Sequence, residues 1–435
     1  KDTISVHINP SELIFNKKDW SVPQENKVTI AENYLGLQNV KFSRNSQELT
    51  LSNAISDIEK EHLGILFNNF RLQTFLSLLN PDEALASGQV AGELIIENPF
   101  EAPGLIANFK VNGLELMQNA LGNLSLNASS KGQGDYDFDL ALKDGGVDLN
   151  LVGDYAAAET GARLNLDLDL NKIDMAVVEG LSEGALKESK GYITGSIQVN
   201  GTTVEPKYNG NLTFNETEFN IADFNSLFKV NNETLKIDET GLFFDSFEIK
   251  DANNGQFVLD GDITTEEFTN PGFDLSLKAE EFRVLNSTKE DNELYYGTAS
   301  IDADLTVKGD LELPQIDGKL RVRNVTDVTY VVAEEQLDVE ERDGVVIFVN
   351  KDNPDAILTR QDQEETPALF QGFDLSAILE IADDAVFHII IDERTGDNLQ
   401  VSGDAELSLN MSPNGRINLT GRYELNSGHY ETSLY

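Results

Sequence analysis

Residues 135–155 read DYDFDLALKDGGVDLNLVGDY, and their apolar side chains fall on alternate positions: Tyr136, Phe138, Leu140 and Leu142, then Val147, Leu149, Leu151 and Tyr155. Asp135, Asp137, Asp139, Asp148, Asn150 and Asp154 fill most of the places between. Successive side chains of a strand point to opposite faces, so the pattern predicts a hairpin with one apolar face and one carboxylate face, turning at Lys143, Asp144, Gly145 and Gly146. The same alternation returns in RLNLDLDL (163–170), FVLDGDI (257–263), FDLSLKA (273–279), IDADLTVKG (301–309), DAELSLN (404–410) and RINLTGRYEL (416–425). The chain is predicted to be all-β. Turns at Asn254-Gly255 and Asn414-Gly415 suit tight antiparallel connections better than long parallel crossovers.

The alternating runs also repeat. GYITGSIQVNGTTVEPKYNGNLTF (191–214) aligns with ASIDADLTVKGDLELPQIDGKLRV (299–322), so that Ile197, Val199, Gly201, Pro206, Tyr208, Gly210, Leu212 and Phe214 match Leu305, Val307, Gly309, Pro314, Ile316, Gly318, Leu320 and Val322. A degenerate earlier copy places Gly88, Gly92, Leu94, Ile96 and Pro103 against Gly191, Gly195, Ile197, Val199 and Pro206. Such spacing defines a tandem array of units about a hundred residues long, too long a period for a β-solenoid. One or two short helices are expected within it. FRLQTFLSLL (70–79) sets Leu72, Phe75, Leu76 and Leu79 at helical spacing, and IDMAVVEGL (173–181) holds the same place one repeat later; EFRVLN (281–286) is read as a remnant in the third copy. The expected organisation is N-terminal strands (1–62), repeat unit 1 (63–172), repeat unit 2 (173–280), and repeat unit 3 with a C-terminal region (281–435), interrupted by a loop-rich, acidic insertion at about 334–367.

Composition narrows the function. With 32 basic against 76 acidic residues the formal net charge is −44, which repels nucleic-acid phosphates, so nucleic-acid binding is set aside. The absence of cysteine excludes disulfides and thiolate metal sites. No stretch approaches the roughly 20 apolar residues of a membrane helix, and the chain is read as soluble. His7, His62, His388 and His429 are far apart and follow no metal-binding spacing, and there is neither a phosphate-binding glycine loop nor a nucleophile elbow. Asp135, Asp137 and Asp139, like Asp167 and Asp169, could be paired acids, but they recur wherever a strand alternates and read as a solvated face. DANNGQ (251–256) lacks the ligand pattern of a calcium loop and reads as a hairpin turn. No enzyme, metal or cofactor is expected.

An amphipathic sheet must bury its apolar face against something. Either two walls of the folded-over sheet pack into a dry core, or the sheet curls into a trough filled by lipid chains. In the second case the wall is lined by Phe138, Leu140, Leu149, Leu151, Leu166, Leu168, Ile197, Val199, Leu212, Phe214, Leu259, Leu275, Leu277, Leu305, Val307, Leu320, Val322, Leu407 and Leu409.

The run at 191–214, FDLSLKAEEFRVLN (273–286) and the ending GDNLQVSGDAELSLN…GRINLTGRYELNSGHYETSLY (396–435), with Gly421, Tyr423, Leu425, Gly428 and Tyr430, resemble the TamB branch of the AsmA-like proteins of diderm bacteria. The resemblance implies an elongated, taco-like antiparallel β-sheet with a hydrophobic groove, in a periplasmic protein anchored in the inner membrane. It also implies a bridge for phospholipid acyl chains between the inner and outer membranes, a role in outer-membrane biogenesis, and a BamA-like barrel partner engaged through the C-terminal region. The family's membrane anchor is not found in this sequence, as expected of a soluble fragment. The alternative is a non-conducting structural or chaperone-like scaffold for outer-membrane protein assembly. A carbohydrate-active protein would need aromatic platforms, and there is one Trp.

Overall fold

The computed structural model describes residues 3–10, 13–15, 18–56, 58–76, 85–100, 104–132, 134–158, 161–265, 269–332 and 372–432. The insertion predicted at 334–367 lies outside the described residues. Strand makes up 71% of the structure and helix 3%, so the protein is all-β. The chain divides into two compact units, Lys1–Ala222 with Leu227–Ile249, and Asp223–Ser226 with Lys250–Tyr435.

The first unit opens with five short strands, β1 (Ile4–Val6), β2 (Ile14–Phe15), β3 (Lys18–Asp19), β4 (Lys27–Ala31) and β5 (Tyr34–Gln38). β1, β4 and β5 form a small sheet, and β2 pairs with β3. The main sheet then runs through β6 (Val40–Arg44), β7 (Gln47–Ser52), β8 (His62–Arg71), helix α1 (Leu72–Leu76), β9 (Ala86–Glu97), β10 (Gly104–Leu116), β11 (Asn119–Gly132), β12 (Asp135–Lys143), β13 (Val147–Ala156), β14 (Arg163–Asp174), helix α2 (Met175–Leu181), β15 (Leu186–Thr202), β16 (Pro206–Ile221), β17 (Ser226–Val230), β18 (Glu233–Asp238) and β19 (Gly241–Asp251). From β6 to β16 each strand pairs antiparallel with the next, and β18 continues the ladder beside β16. Both helices fall within the segments that the 3.6-residue spacing marked, 70–79 and 173–181, although residues 70–71 and 173–174 end the preceding strands and 77–79 lie outside the described residues.

The second unit contains β20 (Gln256–Thr264), β21 (Gly272–Ser287), β22 (Tyr295–Asp310), β23 (Pro314–Val322), β24 (Asp327–Val331), β25 (Asp374–Ile381), β26 (Val386–Asp392), β27 (Asp397–Met411) and β28 (Ile417–Glu431). The segment 281–286, read from sequence as a helical remnant, is the end of strand β21. The sheet also departs from the purely antiparallel expectation. β23 runs parallel to β25, and β24 runs parallel to β26. β22 pairs antiparallel with both β23 and β24, and β27 with both β25 and β26. Each of those pairs is therefore one strand line broken by a short bend. The chain between the two lines, residues 332–373, exceeds the dozen or so residues that a parallel crossover needs.

Glycines open the apolar face where strands cross closely. Gly210 pairs with Ile197 on β15, and Gly318 pairs with Leu305 on β22. A Cβ on Gly210 would run into the Ser196 carbonyl oxygen and the Ile197 backbone, and one on Gly318 would run into the Asp304 carbonyl oxygen. Gly318 also has a φ of +147°, which side-chain-bearing residues rarely adopt. The positions aligned by the repeat thus make the same contact in the two units.

The turn after β19 depends on one buried acid. Asp251 is 1% exposed, and its carboxylate accepts hydrogen bonds from the backbone N–H groups of Asn253 (2.7 Å), Gly255 (2.8 Å) and Arg283. A carboxylate turned on its own backbone fixes this loop as a turn.

Two expectations follow. Gly210→Val and Gly318→Val should each destabilise by about 1–3 kcal/mol through overpacking, lowering the melting temperature in calorimetry. Asp251→Ala strands several backbone donors in a buried turn and should destabilise by at least about 2 kcal/mol, measured by urea titration.

Candidate functional site

The registers align the apolar positions of successive strands into continuous rows. In the first unit one row runs Leu49, Phe67, Gly92, Phe109, Leu126, Leu140, Leu151, Leu168, Ile197, Gly210 and Ile237. The neighbouring row ends in Leu149, Leu170, Gly195, Leu212 and Leu235, and the row on the other side carries Phe138, Gly153, Leu166, Val199 and Tyr208. Phe214 stands on the same face, opposite Ile193. In the second unit Leu259, Leu277, Leu305, Gly318, Ala377, Leu409 and Leu419 form one row. Beside it lie Leu275, Val307 and Ile316 on one side and Leu320, Leu379 and Leu407 on the other, with Val322 one position further. Every wall residue chosen from the two-residue period therefore shares one face with its unit-mates, because no register slip falls within these rows.

Burial along this face is uneven. Of the nineteen residues expected on the wall, Leu407 is buried and the other eighteen are half-buried. Dry clusters occupy the helix end of the strands in the first unit. Leu142 and Val147 are each 7% exposed and pack on Val177 of α2. Trp20, Phe70, Val90 and Val111 form a second cluster, with Phe42, Leu49 and Phe109 against it. Ring centroids of Trp20 and Phe70 are 5.9 Å apart. Sequence reasoning gave Trp20 no place on the wall, since it sits on no alternating run; its signal was its being the one tryptophan.

The opposite face is polar and internally paired. Asn165 donates to Asp154 (3.1 Å), Gln198 to Asp167 (2.9 Å) and Asn171 to Asp148 (3.0 Å). Arg323 holds Asp302 through both carboxylate oxygens at 2.8 Å and Glu281 at 2.7 Å. Its hydrogen bonds to Asp302, and then the charges of Asp302 and Glu281, raise the guanidinium above its ordinary value. Lys131 is raised likewise, first by its hydrogen bond to Asp137 and then by the charges of Asp137, Asp154 and Asp135. These exposed pairs contribute little stability individually, but they keep the carboxylates solvated and separate.

Three of the four histidines are engaged apart from one another: His7 Nδ1 with the Asn26 carbonyl (2.8 Å), His62 Nε2 accepting from the Ile55 N–H (2.8 Å), and His388 beside Asp327 (3.1 Å), while His429 is exposed on β28. Among the described residues no group of three or more His, Asp or Glu side chains could hold a metal ion, and no helix is long and apolar enough to cross a membrane.

Fold and site together define an all-β protein with an extensive half-buried apolar face backed by an acidic one. Residues 245–434 match the family model of the TamB C-terminal domain, a range that takes in nearly all of the second unit. The match supports a TamB-like assignment of these residues. No curated protein and no solved structure matches the chain.

Burial predicts a gradient in tolerance along one strand. Leu142→Glu places a carboxylate in the cluster under α2 and should destabilise by several kcal/mol, as roughly estimated for an unpaired buried charge. Leu140→Glu, two residues away on the half-buried stretch, should lower the melting temperature far less. Parallel thermal melts of the two variants check it.

Proposed function

We propose that the apolar wall is a groove that carries or shields phospholipid acyl chains in the periplasm, between the inner and outer membranes. The supporting observation is the half-burial of eighteen of nineteen wall side chains. Residues of a dry core would be mostly buried, and residues of a flat exposed face would bind neighbouring sheets. A curled wall that keeps its aliphatic side chains partly accessible suits a mobile hydrocarbon guest. Each methylene removed from water contributes about 0.8 kcal/mol, so a wall touching even part of a two-chain lipid holds it, while contacts of uniform strength let it slide along the rows. Head groups stay in water.

In this reading the C-terminal region meets a BamA-like barrel of the outer membrane. Strand β28 pairs with β27 from Asn398↔Glu431 to Met411↔Ile417, and apart from Tyr423 its described side chains are exposed, including Ile417 (60%), Leu425 (60%) and Tyr430 (57%). A strand so exposed suits pairing with a partner strand. The full-length protein in this reading carries an inner-membrane anchor.

Native mass spectrometry of the purified chain should find co-purified phospholipid, and Leu305→Glu or Leu320→Glu should abolish it while the protein stays folded. Folded variants with unchanged lipid would place the lipid elsewhere. Unfolding at every wall position would favour the scaffold role instead. Hydrogen exchange should also find β28 the least protected long strand of the second unit; protection equal to that of β22 would remove it as a docking strand.

A further inference from the structure

At the start of the main sheet the apolar face of the first unit deepens into a pocket of about 190 Å³, lined by Leu13, Trp20, Phe42, Leu49 and Phe70. Three local features build it. Phe42, Leu49 and Phe67 pair across β6, β7 and β8 and begin the row that continues through Gly92 and Phe109. Phe70 lies three residues beyond Phe67 and by alternation would face the other way. A β-bulge corrects this: between the pairs Phe67↔Gly92 and Phe70↔Val90 strand β8 carries an extra residue, with Asn69 at a φ of +48°. Phe70 thereby returns to the apolar face, its ring centroid 5.9 Å from that of Phe67. Trp20 arrives from outside the sheet. Ser21 and Ser43 exchange both backbone hydrogen bonds at 2.9 Å, with their hydroxyls 2.9 Å apart, which sets the flanking Trp20 and Phe42 on the face away from the serines. The Trp20 N–H donates to the Leu13 carbonyl (2.9 Å) and brings Leu13 to the same place.

Trp20 (6% exposed) and Phe70 (3%) close the pocket at its inner end, whereas Leu13, Phe42 and Leu49 are half-buried and mark its mouth. Protein interiors leave few voids larger than a water molecule, so one of this size has an occupant to explain. Water is a poor one. It needs roughly two to four polar partners, while four of the five lining side chains have no polar atom and the fifth has a single donor. Hydrocarbon needs only carbon contacts. An apolar cavity of about 150 Å³ holds benzene, so this pocket has room for about six carbons, the tip of an acyl chain and not a whole lipid. A charged head group would lose its hydration there without gaining a partner.

We infer that the pocket under Trp20 binds the methyl end of one acyl chain, whose remainder lies on the wall from Leu49 and Phe67 onward. The inference rests on the groove proposed above and adds to it a fixed site where a chain end is held. Phe42 and Leu49 belong both to the pocket and to the row, so a chain leaving the mouth passes directly onto Phe67.

Trp20 is the one tryptophan of the chain, so its fluorescence reports on this pocket alone. The test loads the delipidated whole chain with hexadecanoic acid brominated either at its terminal carbon or beside the carboxyl group, bromine being a contact quencher of indole, and follows total binding of each acid by equilibrium dialysis. The terminal bromine should cut Trp20 emission by at least half at saturation. The bromine beside the carboxyl should leave emission nearly unchanged although that acid binds equally well. Leu49→Glu, at the half-buried mouth, should abolish the quenching while the melting temperature falls little; if that variant does not fold, Leu13→Phe, which narrows the pocket without adding charge, should abolish it instead. Equal quenching from both positions, quenching from the carboxyl side only, or unchanged quenching in the folded variant overturns the inference. Binding of both acids with Trp20 unquenched also overturns it and leaves the groove standing. Binding of neither acid overturns the groove as well.

Discussion

A strand whose side chains alternate strictly between aliphatic and carboxylate can present only one face to a nonpolar environment, and a shift of one residue in pairing would turn every leucine outward. Register is therefore the constraint on which the structure depends. From β6 to β16 successive strands meet so that apolar residues stand beside apolar residues or beside glycine, and the bulges that occur fall near the strand ends, as between Val111 and Leu114 and between Leu170 and Ile173. The apolar face stays in phase over the whole ladder because each interior stretch is paired without slippage.

Phase alone would give a flat face. Curling requires neighbouring backbones to approach closely on the apolar side, and glycine supplies the missing volume at Gly210 beside Ile197 and at Gly318 beside Leu305. The carboxylate side has a different task. A long sheet that carried aliphatic residues on both faces would associate with any other sheet; a polar outer face, held in pairs such as Asn165 with Asp154 and Arg323 with Asp302, keeps the strands soluble and discourages stray pairing.

The helices and Trp20 complete the picture at one margin. A wall this long cannot leave both of its rims wet without exposing the aliphatic ends of its strands, and α2 covers one rim by setting Val177 on Leu142 and Val147. At the opposite end of β12 and β13 the cross-strand pair Tyr136 and Tyr155 stands beside Leu164 of β14.

The sequence by itself determined the alternating strands, the face each side chain takes and the two short helices, because these follow from periods of two and 3.6 residues. Alternation put all nineteen wall residues on the face they occupy, since side-chain direction in a strand is a local property. Tertiary structure decided what local periodicity does not encode. It ran β23 parallel to β25 across a long connection, turned 281–286 into strand where the spacing had suggested a vestigial helix, and brought Trp20 from an irregular segment against Phe70. It also decided how deeply each wall residue is covered: Leu140 and Leu142 are alike in sequence, and one is half-buried and the other buried because α2, more than thirty residues further along the chain, lies over the second.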